Sequence, residues 1–435
     1  MRIVVRAHDA RHARDAQTLL ANAGVEALAL PGAYRDAPNG EDVSIFSALS
    51  GDVDDVARLA VTSLQAEPAP LSRLIGLRHA APPALGLGGA EVFSGALALD
   101  APPKLLASQV DGAIRVAIAE EEHVRRVATA EALGVTAPAT PEPRKLKALY
   151  IGAPSPMFLA LERKLAEQDG LVAAAFSSFA GFDHLHDEPF DAVVLNGAND
   201  PATAVSLCAA LRRNASLYHM PTMVVTAPGD VETANNAINR GASAICSTRA
   251  PCGASLGWLF EAVRRERRRR AADHGIRALC DLMGDPRTGL FTRDAFDAHL
   301  ARLAADHHVS GRPMALVTLR VLPAPGSREP EEDIWKKGFT EIASLAGRLM
   351  RDADTGAALG REFIAIAMPA ARLKAAKRTA ERISSVAECT AFASGEGGAG
   401  PLVFEQSAVE LQPGESGSAL LARALRALEV EAIPA

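Results

Sequence analysis

Arg351 and Asp354 stand three residues apart in Arg351-Asp352-Ala353-Asp354. In a helical turn, residues at that spacing project to one side. A cation and a carboxylate side by side can read a nucleotide. The guanidinium fork bonds O6 and N7 of a guanine, or a phosphate, bidentately. The carboxylate accepts from the N–H groups on guanine's other edge. A further cation, Arg382, lies in Thr379-Ala380-Glu381-Arg382-Ile383, on the helix expected next. Between them Leu359-Gly360-Arg361-Glu362-Phe363 reads as a tight turn, and Ile364 to Met368 as a strand.

The elements that must position this stretch come from the whole chain. Its 435 residues predict about three domains, each able to bury its own core. A net charge of −6 and a pI of about 6.0 argue against a general nucleic-acid binder. Cys208, Cys246, Cys252, Cys280 and Cys389 form no CxxC, which suggests a reducing compartment. No signal peptide opens the chain, and the longest apolar stretch, around Pro82 to Leu99, is broken by Gly, Pro and Glu91. The expectation is a cytoplasmic protein with no membrane insertion.

Residues 1–135 alternate strand and helix. Arg2 to Ala7 and Asp42 to Ser47 read as strands, Ala13 to Ala23 as an amphipathic helix stopped by Gly24, and Lys104 to Leu133 as a long helix. The prolines of Thr136 to Pro143 mark a linker. Residues 146–270 repeat the alternation more clearly, with strands at Leu146 to Ile151, Asp191 to Asn196, Pro221 to Thr226 and Ala242 to Ser247. Such alternation predicts parallel sheets with helices on both faces. Residues 279–432 form the third domain.

The stretch from Arg351 to Met368 resembles the GGDEF domain of diguanylate cyclases. There an RxxD pair, a short spacer, a Gly-x-Glu-Phe turn and a strand follow in this order. Asp285-Pro286-Arg287-Thr288-Gly289-Leu290 with Arg293 resembles that family's opening motif, with Thr292 where the family has Asn. The two preceding segments resemble receiver domains of response regulators. The expected fold is therefore α/β: two tandem receiver-like (flavodoxin-like) domains followed by a degenerate GGDEF domain.

The resemblance implies that Arg351, Asp354 and Arg382 form an inhibitory-type site for cyclic di-GMP. It also implies that the chemistry is lost. Gly360-Arg361-Glu362-Phe363 is one residue short of the family's turn. Arg320 and Leu322 stand where carboxylates would hold Mg²⁺, so no metal is expected. In the second receiver-like segment Gly152-Ala153 replaces the acidic pair, Asn196 the phosphoryl acceptor and Thr248-Arg249 the Lys, while Thr226 keeps the hydroxyl. In the first, His8-Asp9 keeps half the pair, Ser47 takes the acceptor's place, Asp100 stands near that of the Lys, and Asp52, Asp54 and Asp55 follow as substitutes.

This combination of domain order and retained RxxD resembles the PopA group, degenerate paralogues of the cyclase PleD. That likeness implies a cyclic di-GMP effector recruited to a cell pole, a homodimer, and partnership with the adaptor RcdA, the regulator CtrA and the ClpXP protease. The alternatives are an active diguanylate cyclase and a phosphorylation-driven response regulator.

Three further motifs have plainer readings. Arg264 to Arg270 is expected as the solvated face of a connecting helix, with a surface for nucleic acid or membrane and a nucleotide-contacting arginine as the other readings. Asp183-His184-Leu185-His186 is expected as a surface loop rather than a metal site. Gly86-Leu87-Gly88-Gly89 lacks the spacing of a dinucleotide fingerprint.

Overall fold

The computed structural model describes residues 1–31, 42–50, 53–62, 70–81, 92–139, 144–248, 253–327, 329–394 and 401–431, the last three of these as backbone only. Asp52, Gly86 to Gly89, Arg249, Cys252 and residues 140–143 of the expected linker lie outside the described residues. The chain divides into two compact units. Residues 2–117 and 141–270 form one; residues 118–140 and 271–435 form the other. The end of the first expected domain, from 118, thus clusters with the third.

The unit of residues 2–117 and 141–270 holds two parallel five-stranded sheets. The first contains β1 (Ile3–Ala7), β2 (Leu28–Pro31), β3 (Val43–Ser47), β4 (Ser72–Leu77) and β5 (Gly95–Ala98), in the order β2-β1-β3-β4-β5. Helices α1 (Ala10–Asn22), α2 (Val53–Thr62) and the long α3 (Pro103–Ala132) accompany it. The second contains β6 (Lys147–Ile151), β7 (Leu171–Ala175), β8 (Ala192–Asn196), β9 (Thr222–Thr226) and β10 (Ala244–Ser247), in the order β10-β9-β8-β6-β7. Its helices are α4 (Pro156–Ala166), α5 (Ser178–Asp187), α6 (Pro201–Arg213), α7 (Val231–Asn239) and α8 (Gly253–Met283). Both sheets follow the flavodoxin-like order 2-1-3-4-5.

Central strands are buried on both faces, which is why β3 and β9 are apolar or hydroxyl-bearing throughout. One apolar core joins the two sheets: Phe46, Ile75 and Phe93 from the first with Tyr150, Val194 and Trp258 from the second. Trp258 donates its indole N–H to the carbonyl of His79 at 2.8 Å.

Two expectations change here. Asp183 to Asp187 belong to α5, because Ser177 caps that helix through the N–H of Ala180 and carries the chain into it. The arginines of α8 are not a solvated face. Arg267 bonds Asp191 at 2.8 Å, Arg264 bonds Glu261 at 3.1 Å and the Ser94 carbonyl at 3.2 Å, Arg268 also reaches Ser94, and Arg269 and Arg270 share Glu266. Arg264, Arg267 and Arg268 fasten α8 to the residues that lead into β5 and β8.

The other unit is built on an antiparallel sheet of β11 (Met314–Pro323), β12 (Thr355–Leu359), β13 (Phe363–Pro369) and β14 (Leu402–Glu410), ordered β12-β13-β11-β14. With α10 (Glu332–Leu349) and α11 (Leu373–Glu388) the chain runs β-α-β-β-α-β, the split βαβ arrangement. The helix α9 (Arg293–Ser310), the short α12 (Ala391–Ser394) and α13 (Gly417–Glu431) complete it. Glu332 and Asp333 stand in the first turn of α10, where carboxylates favour the helix dipole.

Candidate ligand-binding site

Helix α10 ends where Met350 turns extended, at φ −76° and ψ 162°. The next four residues are therefore not a helical turn. They fold into a tight turn in which the N–H of Asp354 donates to the carbonyl of Arg351 at 2.9 Å. Asp354 Oδ2 accepts in return from the N–H of Arg351 at 3.0 Å. The pair is joined through backbone, which leaves the Arg351 guanidinium exposed.

Asp354 is 4% exposed, and its Oδ1 is buried with no hydrogen-bond partner. Burial pushes its pKa up to about 6, against the lowering influence of the Arg351 N–H and charge. Asp354 lines a cavity of about 360 Å³ together with Arg126, Arg277, Arg348, Arg351 and Thr288. Arg277 pairs with Asp352 at 3.3 Å. Asp281 and Asp352 line the cavity as well, so four arginines face three carboxylates, of which Asp354 is the buried one.

Sequence reasoning missed what holds the turn. Arg126, on α3, is 2% exposed. Its Nη2 donates to the carbonyls of Asp352 and Asp354 at 3.0 and 2.9 Å and to Thr355 Oγ1 at 3.1 Å. Its Nη1 donates to the Ile276 carbonyl at 3.2 Å, and its guanidinium lies 5.3 Å from the centre of the Phe291 ring. Its Nε bonds Glu122, which is fully buried and also accepts from Arg125 at 2.7 Å and His299 at 3.0 Å. Burial works against the ionised Glu122, but His299, Arg126 and Arg125 outweigh it and hold the carboxyl well below its usual range.

Arg382 is placed differently from expectation. It is exposed on α11 and donates through Nη2 to the Leu349 carbonyl at 2.7 Å, capping the end of α10. The structure brings Arg351 and Asp354 to one cavity and leaves Arg382 outside the residues that line it.

The turn that follows is a three-residue hairpin loop, Gly360-Arg361-Glu362, with Leu359 paired to Phe363 and Gly360 at φ 72°. Arg320 sits opposite Phe363 in the sheet. Its Nε bonds Glu362 at 3.0 Å, its Nη1 lies 3.6 Å from Glu405, and its guanidinium is 5.4 Å from the Phe363 ring centre. Arg361 is held by Glu329 and Glu332 at 3.3 and 3.2 Å, and its carbonyl accepts from the Trp335 indole at 3.0 Å. Among the described residues no group of three or more His, Cys, Asp or Glu side chains is placed to hold a metal ion.

In the parallel sheets, Asn196 donates to the Ala153 carbonyl at 2.8 Å, and a side chain at Gly152 would meet the Asn196 Cβ at 2.9 Å. Asp9 caps α1 through the N–H groups of Arg11 and His12 and pairs with His12 at 2.8 Å. Ser47 is buried, and its hydroxyl is unpartnered. Asp54 and Asp55 lie in the first turn of α2, where Asp55 pairs with Arg58 and, at 3.6 Å, with His8.

No protein-family model matches the chain, and no curated protein matches it. Solved structures do. The GGDEF domain of DgcB from Caulobacter crescentus, crystallised with c-di-GMP, is 23% identical over 34% of this chain and 86% of its own, with a TM-score of 0.28. The GGDEF domain of FimX from Pseudomonas aeruginosa is 18% identical over 34% of this chain and 92% of its own, with a TM-score of 0.29. A response regulator receiver domain protein from Clostridium thermocellum is 19% identical over 28% of this chain and 97% of its own, with a TM-score of 0.25. Among the described residues no helix is long and apolar enough to cross a membrane.

Proposed function

We propose that the chain is a receptor for cyclic di-GMP, taking the dinucleotide at the Arg351–Asp354 turn, and that it has no cyclase activity. The observation that carries this reading is the buried Asp354 carboxylate, with one oxygen unpartnered, in the wall of an arginine-lined cavity. A buried acceptor without a donor costs free energy unless a ligand supplies one. Guanine offers two adjacent N–H donors on one edge, and the two phosphates of cyclic di-GMP suit the surrounding guanidinium groups. Arg351 would take the Hoogsteen edge or a phosphate. Arg382 would join by exchanging the Leu349 carbonyl for the ligand.

The absence of turnover is supported by Arg320. Where two-metal phosphoryl transfer needs carboxylates, this guanidinium neutralises Glu362 and repels cations. The likeness to the PopA group would extend the reading to recruitment at a cell pole and, with RcdA, to delivery of CtrA to ClpXP. It would also give a two-fold homodimer, which light scattering tests directly.

Titration calorimetry of the full chain with cyclic di-GMP decides the central point. Wild type is expected to bind and Arg351→Ala to bind much more weakly. Absence of heat in wild type at micromolar ligand, or equal binding by the variant, overturns the reading.

A further inference from the structure

A second cationic cavity, of about 330 Å³, lies wholly within the unit of residues 2–117 and 141–270. Its charged lining comes from α3, α6, the segment before β9 and α8: Arg115, Arg212, His219, Arg265, Glu266 and Arg269. Four guanidinium groups face one carboxylate. Glu266 is engaged by Arg269 at 2.9 and 3.0 Å, and Arg270 shares it at 2.8 Å.

Arg212 and Arg265 make their hydrogen bonds to neutral acceptors, with Glu266 near both and Glu261 near Arg265. Arg212 is held entirely by neutral acceptors, with Nε and Nη2 on the Gly241 carbonyl at 3.1 and 2.7 Å and Nη1 on those of Tyr218 and Met220 at 3.0 and 2.9 Å. Arg265 reaches the Gln109 carbonyl at 3.2 Å. Arg115 is exposed and lies near Arg265 and His219. Guanidinium groups fixed by carbonyls keep their full charge and a set geometry, the arrangement that favours a polyvalent anion.

We propose that this cavity binds a phosphate-bearing anion. Arg115 and Arg265 would provide the forks, Arg212 the fixed charge beside them, and the half-exposed Tyr218 ring, whose centre lies 3.4 Å from that of His219, a face on which a base can stack. His219 supports the assignment. Burial and the neighbouring Arg269 hold its imidazole down at about 4, so it faces the cavity uncharged at neutral pH. An anion placed there would raise it.

The test is titration calorimetry of the full chain in chloride buffer with pyrophosphate and, separately, guanosine monophosphate. Both are expected to bind, and Arg115→Ala should weaken both by about tenfold or more. Arg213→Ala, an exposed arginine of the same helix as Arg212 but outside the cavity, should change nothing. Equal affinity for the two ligands assigns recognition to the phosphate; tighter nucleotide binding adds Tyr218, and either supports the proposal. NMR should show the His219 imidazole titrating higher with pyrophosphate present. Arg351→Ala should leave pyrophosphate binding intact, which separates this cavity from the turn at Asp354. No heat with either ligand, or an unchanged Arg115→Ala, overturns the proposal.

Discussion

The Nη2 of Arg126 donates to the carbonyl oxygen of Asp354 at 2.9 Å, and the same nitrogen holds the carbonyl of Asp352 at 3.0 Å. Helix α3 thus grips the turn by its backbone, leaving the Arg351 side chain free and the Asp354 carboxylate in the cavity wall. The grip is itself anchored, because Arg126 is paired with the buried Glu122. The turn is therefore preorganised by residues that need never touch a ligand.

Removing that grip should be costly. Arg126→Met leaves Glu122 short of one charge partner and two carbonyls short of a donor. A loss of roughly 3–5 kcal/mol in unfolding free energy is expected, the range for breaking a buried pair. Arg126→Lys keeps the charge but cannot bridge both carbonyls and Glu122, so it should fall between. Urea denaturation of the three proteins checks the order, and a Met variant as stable as wild type would show that the grip carries no energy.

Asp354 should leave a mark on the pH dependence of stability. Its folded value of about 6 lies above the ordinary 3.8, so between these values the folded chain holds more protons than the unfolded one. Stability then falls as pH rises through that window and stays lower above it. Asp354→Asn removes the ionisation while keeping an acceptor for the Arg351 N–H. At pH 7 it should stabilise the unliganded chain by up to about 3 kcal/mol and abolish the slope. Thermal melts at pH 4 and pH 7 that differ equally for both proteins would contradict this.

The sequence carried the sheets well because central strands such as β8 and β9 are unbroken apolar runs bounded by turn signals. The short edge strands β2 and β7 are half-exposed and gave no such signal. The RxxD pair was legible as a local motif. Arg126 was not, since 226 positions separate it from Asp352. Glu122 and Arg126 stand at i,i+4, a spacing common on exposed helix faces, and both are buried. The arginines of α8 misled for a like reason: their partners Asp191 and Ser94 are distant in sequence, just before β8 and β5.

The ion pair of Arg320 with Glu362 makes a prediction about chemistry. Purified protein should form no cyclic di-GMP from GTP with excess Mg²⁺ or Mn²⁺. Glu362→Gln should change neither this nor ligand binding. Any turnover in wild type that disappears in Glu362→Gln would reinstate the cyclase reading.

A small phosphodonor should leave no acid-labile phosphate on Asn196 or its neighbours, because an amide bonded to the Ala153 carbonyl is no phosphoryl acceptor. In the first sheet Asp9 is committed to capping α1 and Asp55 to Arg58. Mass spectrometry that maps an aspartyl-phosphate to Asp52, Asp54 or Asp55 would revive the response-regulator reading.

The placement of Arg382 separates the contributions at the proposed cyclic di-GMP site. Arg351 has an exposed guanidinium beside the cavity, whereas Arg382 must first give up the Leu349 carbonyl. A charge-assisted contact is worth roughly 1.5–3 kcal/mol, so Arg351→Ala should weaken binding about tenfold to a hundredfold. Arg382→Ala should weaken it less, because the lost contact is offset by a bond no longer exchanged. Asp354→Asn should resemble Arg351→Ala, since its amide replaces one acceptor with a donor opposite the guanine N–H groups. Calorimetric titration of the three variants against wild type gives the order. An Arg382→Ala variant weakened more than Arg351→Ala would mean that the ligand sits over the end of α10 rather than in the cavity beside Asp354.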